Sequence, residues 1–266
     1  MRKEDLMTCF SLMDLTTLHS SDTEGTVRAL VGKVNGLKDS FPLYPLPASV
    51  CVYPNLAHVV RECRESEELG VTAVSGCFPT SQSFPEVKLR ECELAVRDGA
   101  EEIDIVLALN AFLAGDDAAA SAEIASIRAA VDAAASEQGR SVILKVILET
   151  GLLVSEENIS RASFLAMEAG ADFIKTSTGK VEVNATPQAA QTMCRCIRSY
   201  YERTGRKVGF KAAGGISSAE DALLYHSIVK DILGPEWLDK SLFRLGVSRL
   251  GNSLMSAIEG KDVVYF

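Results

Sequence analysis

Eight short apolar runs mark out this chain: Leu12–Thr16, Val50–Tyr53, Val71–Ser75, Ile103–Leu107, Val142–Leu148, Phe173–Thr176, Val208–Lys211 and Phe243–Gly246. Each has strand length, and the segments between them carry helical spacing. Ile124, Ile127 and Val131 share one helical face, as do Ile159, Ala162, Ala166 and Ala169. Strands separated by helices pair in parallel, because a crossover must return the chain to the same end of the sheet. A parallel sheet buries both faces, which explains why the runs are apolar throughout. Eight such units, with no second compositional block, predict an α/β fold of the closed (β/α)8 TIM-barrel type. Residues 1–266 then form a single domain, with 252–266 as the end of the C-terminal helix and a tail. The length of 266 residues suits a barrel, which takes ~250. An open doubly wound sheet is the rival, weakened because no G-x-G-x-x-G turn opens a helix.

An internal echo sets the parity of two strands. Gly99-Ala100-Glu101-Glu102-Ile103-Asp104 resembles Gly170-Ala171-Asp172-Phe173-Ile174-Lys175. In both, glycine stops a helix and the fifth residue after it is ionisable. Alternation turns Ile103 and Ile174 toward the helix layer, and Asp104 and Lys175 toward the interior at equivalent heights. The same parity puts Phe210 outward and Lys211 inward, and Lys145 is a further inward candidate.

Barrel interiors are normally filled by branched apolar side chains. A buried lysine is costly because its charge loses hydration. Three inward lysines against one aspartate leave positive charge that ion pairing alone does not explain. Schiff-base chemistry uses it, since a neutral lysine amine attacks a carbonyl carbon. A free lysine titrates at ~10.4, and both burial and a second ammonium lower that value. One of Lys175 and Lys211 is then the nucleophile and the other its cationic neighbour. The residues themselves do not decide between them, although the small polar loop Thr176–Gly179 leaves room for substrate beside Lys175. Asp104 would move protons, and Lys145 would order Asp104 or a water. Asp14, closing the first strand, would orient a catalytic group or a substrate hydroxyl, although a turn or cap role is the more ordinary use of such a residue. Cys51 would line the pocket, against the ordinary alternative of packing.

Two glycine segments form a second constellation. Lys211-Ala212-Ala213-Gly214-Gly215-Ile216-Ser217-Ser218 ends a strand and opens a helix capped by Ser217 or Ser218, and Gly246-Val247-Ser248 follows the last strand. Backbone N–H groups at such turns bind phosphate, and barrels commonly place that site after strands seven and eight. Lys180 stands in the preceding loop.

Composition narrows the rest. The net charge of -9 argues against a nucleic-acid or anionic-membrane surface. No apolar run reaches the ~18 residues of a membrane span, and Met1–Leu6 has no signal-peptide core, so the expected compartment is the cytoplasm. The seven cysteines show no C-x-x-C pair, and His19, His58 and His226 have no ligand spacing, so neither metal nor cofactor is expected. No Gly-x-Ser-x-Gly elbow is present.

With these residues in view, the chain resembles the 2-deoxyribose-5-phosphate aldolases, class I aldolases on a (β/α)8 barrel. The motifs are Asp14-Leu15-Thr16-Thr17-Leu18, Val50-Cys51-Val52-Tyr53-Pro54, Glu102-Ile103-Asp104-Ile105-Val106 and Leu144-Lys145-Val146-Ile147-Leu148-Glu149-Thr150-Gly151. They continue with Ala171 to Lys180, Val183-Asn184-Ala185-Thr186-Pro187 and Gly209-Phe210-Lys211-Ala212-Ala213-Gly214-Gly215. The resemblance implies reversible cleavage of 2-deoxy-D-ribose 5-phosphate to D-glyceraldehyde 3-phosphate and acetaldehyde, in cytoplasmic deoxynucleoside breakdown, by a homodimer. It implies a Schiff base on Lys175, a pKa-lowering cation at Lys211 and a proton donor/acceptor at Asp104. Phosphate contacts are implied for Gly179, Lys180, Gly214, Gly215, Gly246 and Ser248, and substrate contacts for Thr16, Cys51 and Thr178. Some members carry a tyrosine on a mobile tail that reaches the site, which makes Tyr265 a candidate. Two departures stand out: Ile216-Ser217 follows Gly215 where valine and arginine are frequent, and Arg249 follows Ser248 where a second serine is frequent. The alternatives are a Schiff-base barrel aldolase with a different carbonyl donor, and a sugar-phosphate-binding barrel without turnover.

Overall fold

The computed structural model describes residues 2–266. Eight parallel strands close into a barrel in chain order: β1 Met13–Thr16, β2 Ser49–Val52, β3 Gly70–Val74, β4 Glu102–Val106, β5 Ile143–Ile147, β6 Phe173–Lys175, β7 Gly209–Ala213 and β8 Phe243–Val247. The barrel is sealed where β1 pairs with β8, Met13 opposite Leu245 and Asp14 opposite Gly246. All eight predicted strands are present, with ends shifted by one or two residues at most of them.

The long helices pack outside, and their apolar faces explain why they stay there. Helix Asp117–Ser136 buries Ile124, Ile127 and Val131. Helix Glu156–Glu168 buries Ile159, Ala162 and Ala166, whereas Ala169 is its C-cap and only half-buried. The helix Ala219–Leu233 starts at Ser218, whose hydroxyl accepts from the Asp221 N–H while Asp221 accepts from the Ser218 N–H. That reciprocal cap pins the turn after β7.

The repeated glycines Gly99 and Gly170 have φ of +110° and +107°, a conformation L side chains avoid. A Cβ at Gly99 would stand 2.6 Å from Arg61 Cδ. The two turns therefore deliver β4 and β6 in equivalent fashion, as the sequence echo predicted.

Alternation then sorts the strand side chains. Phe210 points outward and stacks on Phe243. Register does the rest: Asp104 lies opposite Lys145 on the β4–β5 ladder, and Lys175 opposite Lys211 on the β6–β7 ladder.

After the last helix, Leu250–Glu259, the chain turns back along it. Asn252 Oδ1 accepts from the Tyr265 and Phe266 N–H groups. The Phe266 ring covers Gly251, where a Cβ would lie 2.6 Å from it. Among the described residues, no helix is long and apolar enough to cross a membrane.

Candidate active site

The barrel interior holds one continuous charged cluster. Asp104 is its centre: Oδ2 accepts from Lys175 Nζ at 2.8 Å and Lys211 Nζ at 2.9 Å, and Oδ1 accepts from Lys145 Nζ at 2.9 Å. Below this, Lys211 lies 2.5 Å from Asp14 Oδ2 and Lys145 lies 2.5 Å from Glu102 Oε2. Arg244 closes the base, 2.6 Å from Asp14 Oδ1 and 2.7 Å from Glu102 Oε1. The hydroxyls of Ser49 and Thr72 donate to Asp14 and Glu102. All of these side chains are buried.

This corrects the expectation of three lysines against one aspartate. The cluster holds three carboxylates, Asp14, Glu102 and Asp104, against four cations, Lys145, Lys175, Lys211 and Arg244. Glu102 and Arg244 carried no role in the sequence reading. Their signal was parity: Glu102 lies two residues before Asp104 on β4, and Arg244 two before Gly246 on β8.

The electrostatics follow from that arrangement. Burial raises Asp104, but the ammonium groups of Lys145, Lys175 and Lys211 outweigh it and hold the carboxyl well below the usual range. Asp14 and Glu102 are lowered in the same way by the cations around them. Burial also disfavours the charge on Lys211, yet Asp104 and Asp14 overcome it and raise its pKa. Lys175 moves the other way. Burial is the largest influence and lowers it, Asp104 opposes, and Lys211 adds to the lowering. The cationic neighbour anticipated from sequence therefore acts second to burial.

Above the cluster, a cavity of about 260 Å³ opens at the C-terminal ends of the strands. Of the three interior lysines, only Lys175 is on its wall. Thr16, Thr178, Gly179, Lys180, Gly214, Gly215, Gly246 and Ser248 line it too, as do His19, which carried no expected role, and Arg249, the residue that stands where a second serine is frequent. Glu149, just past β5, organises one side. Its carboxylate accepts from the Thr178 N–H at 3.1 Å and the Thr178 hydroxyl at 2.5 Å, and Thr178 Oγ1 accepts from the Lys180 N–H at 3.1 Å. Lys180 Nζ donates across to the Leu18 carbonyl at 2.6 Å. Thr176 Oγ1 exchanges hydrogen bonds with Ala213, locking the β6 loop to β7.

Three candidates lie elsewhere. Cys51 is buried, its thiol pushed up by burial, and packs with Leu18 and Val74 rather than on the cavity wall. Asp14 sits deep among Ser49, Lys211 and Arg244, off the cavity wall where a substrate hydroxyl would lie, but its 2.5 Å contact with Lys211 matches the other expectation, that it orients a charged group of the site. Tyr265 is docked in the helix layer, its hydroxyl donating to the Lys33 carbonyl at 2.7 Å and its ring edge-on to Phe41 at 5.4 Å. The tail hydrogen bonds to Asn252 hold it there. Among the described residues, no group of three or more His, Cys, Asp or Glu side chains is placed to hold a metal ion.

A family model described as DeoC/LacD family aldolase matches residues 8–231. A Bos taurus protein named deoxyribose-phosphate aldolase is 41% identical over 255 residues, covering 92% of this chain and 78% of its own. A Mus musculus protein of the same name is 41% identical over 264 residues, covering 96% of this chain and 79% of its own. Among solved structures, a deoxyribose phosphate aldolase from Aeropyrum pernix, itself tetrameric, is 26% identical with a TM-score of 0.71. That match covers 95% of this chain and 92% of the other.

Proposed function

The chain belongs to the DeoC/LacD family of aldolases, and on that premise we propose that it reversibly cleaves 2-deoxy-D-ribose 5-phosphate to D-glyceraldehyde 3-phosphate and acetaldehyde, through a Schiff base on Lys175. The observation that carries the choice of lysine is exposure to the cavity. Lys145 and Lys211 are sealed beneath it, whereas Lys175 borders it, and burial lowers the pKa of Lys175.

In the cleavage direction the neutral Lys175 amine attacks C1 of the open-chain sugar. The carbinolamine loses water to give an iminium, which draws the electrons of the C2–C3 bond as the C3 hydroxyl gives up its proton. Glyceraldehyde 3-phosphate leaves, the enamine takes a proton at C2, and water releases acetaldehyde and the free amine. Asp104, held ionised, suits the accepting steps, and Lys211, held protonated, suits the donating ones. The two share a 2.9 Å hydrogen bond, so a proton taken by one is returned through the other.

The phosphate suits the glycine-rich lining of the same cavity. Gly179, Gly214, Gly215 and Gly246 offer backbone there, and Lys180 and Arg249 offer positive charge. Arg249 stands at the N-terminal end of helix Leu250–Glu259, where an anion is favoured. The same reading carries the implied cytoplasmic location, deoxynucleoside breakdown and homodimer, which rest on the family resemblance. Borohydride reduction with acetaldehyde, followed by peptide mass mapping, tests it: an ethyl adduct is expected on Lys175, and an adduct elsewhere or none rejects it. Pyruvate in place of acetaldehyde separates this donor from the alternative class.

A further inference from the structure

The interior cluster pairs off almost completely. Lys145 has Glu102 at 2.5 Å, Lys211 has Asp14 at 2.5 Å, and Lys175 has Asp104 at 2.8 Å. Arg244 is the cation left over, and it takes its partners from the same carboxylates, Asp14 and Glu102. A guanidinium stays protonated in proteins, so this charge cannot be shed. Buried positive surplus is expensive, so one of the three lysines is pressed to lose its proton.

We propose that Arg244 is a positioning residue that acts through the carboxylates, making Lys175 the lysine that surrenders its proton although the two side chains do not touch. Lys175 is the weakest-held of the three. Among the described residues its one acid partner is Asp104, on an oxygen it shares with Lys211, whereas Lys211 also reaches Asp14, and Lys145 also reaches Glu102 and, at 4.0 Å, Asp14. Arg244 draws on Asp14 and Glu102 from below, which leaves Lys211 and Lys145 to lean on Asp104 and compete there with Lys175. Other groups facing Arg244 do not change the count. Lys211 is its strand neighbour, Lys240 offers a backbone carbonyl, and the Phe173 ring is 5.8 Å away. Asp239, held by Ser241 and Lys240 outside the interior cluster, lies in the field of Arg244, which helps lower its carboxyl, but the ion pairs of Arg244 are to Asp14 and Glu102. The Cys51 thiol near Lys175 is kept neutral by burial.

The inference rests on Lys175 being the nucleophile, and its test reads both. The rate of borohydride trapping with acetaldehyde is measured against pH, with the adduct mapped each time. In Arg244→Gln the acid limb moves up by about one unit, making trapping about tenfold slower at neutral pH. Arg244→Lys, which keeps the surplus, restores the wild-type limb. Glu102→Gln, which removes a carboxylate instead, moves the limb down and serves if Arg244→Gln does not fold. Slower trapping with an unmoved limb in Arg244→Gln, a shift in the same direction in Glu102→Gln, or no rescue by lysine overturns the proposal. An adduct away from Lys175 in the wild type overturns the underlying reading instead, and the inference with it.

Discussion

Lys175 and Lys211 donate to the same oxygen of Asp104, at 2.8 and 2.9 Å. Neither amine can gain or lose a proton without altering the other's hold on that oxygen. The barrel thus crowds two like charges onto one acceptor, and the one nearer the cavity is the one destabilised.

Lys211→Leu tests that crowding. Lys175 has a lowered pKa, so its reactive neutral form grows as pH rises through that value. Removing Lys211 relieves repulsion and raises the pKa of Lys175. The acid limb of the cleavage pH–rate profile should therefore shift to higher pH, with slower turnover at neutrality. An unmoved limb contradicts the role.

Asp104→Asn should damage the fold as well as the chemistry. It leaves three lysines around a neutral amide, and breaking buried pairs costs about 3–5 kcal/mol. The sign of the pH effect follows from the lowered carboxyl. Its stabilisation is present above the ordinary value of 3.8 and is lost as pH falls toward the depressed one. Urea unfolding should show a less stable variant whose stability also falls less steeply in acid. Equal acid slopes for wild type and variant count against this.

Glu149→Gln separates phosphate recognition from chemistry. The carboxylate holds Thr178 by two hydrogen bonds, and Thr178 in turn holds the Lys180 amide. A hydrogen bond to a charged group contributes ~1.5–3 kcal/mol. KM for the sugar phosphate should rise at least tenfold, by that magnitude, while acetaldehyde trapping on Lys175 is unchanged. A parallel loss of trapping would assign Glu149 to the reacting end instead.

Gly214→Ala should fail on two counts. Gly214 has φ of +88°, and a Cβ there would sit 2.7 Å from Asn184 Cβ. Left-handed geometry alone costs ~1–2 kcal/mol for an L residue. Lower thermal stability together with a raised KM for the phosphorylated substrate is expected. Wild-type values of both would mean the loop yields freely.

Tyr265→Phe removes one hydrogen bond, to the Lys33 carbonyl, from the docked tail. A loss of about 1 kcal/mol in stability with unchanged turnover is the expected result. A fall in kcat at constant stability would place the phenol at the reaction after all.

Most of the frame was legible because one pattern repeats. Apolar strand, glycine stop and helical spacing recur around the barrel, and strand alternation alone sends Asp104, Lys145, Lys175 and Lys211 inward. The same alternation reached Glu102 and Arg244 but went unused, because charge at the first residues of a strand looks like a strand end in solvent. Only closure of the sheet shows those ends meeting inside. Glu149 escaped for a different reason: it adopts φ +56° and turns back onto Thr178, and no spacing rule announces a left-handed glutamate. Cys51 faces the interior as its strand parity requires, but Leu18 and Val74 pack around it.

The β1–β8 seam has a consequence for synthesis. Met13 finds its partner Leu245 only after almost the entire chain has emerged from the ribosome. Until then β1 has an open edge, and Asp14 waits for a guanidinium encoded some 230 residues later. A polypeptide released early would bear both a bare strand and stranded interior charge, a combination that invites clumping or degradation rather than a smaller working barrel.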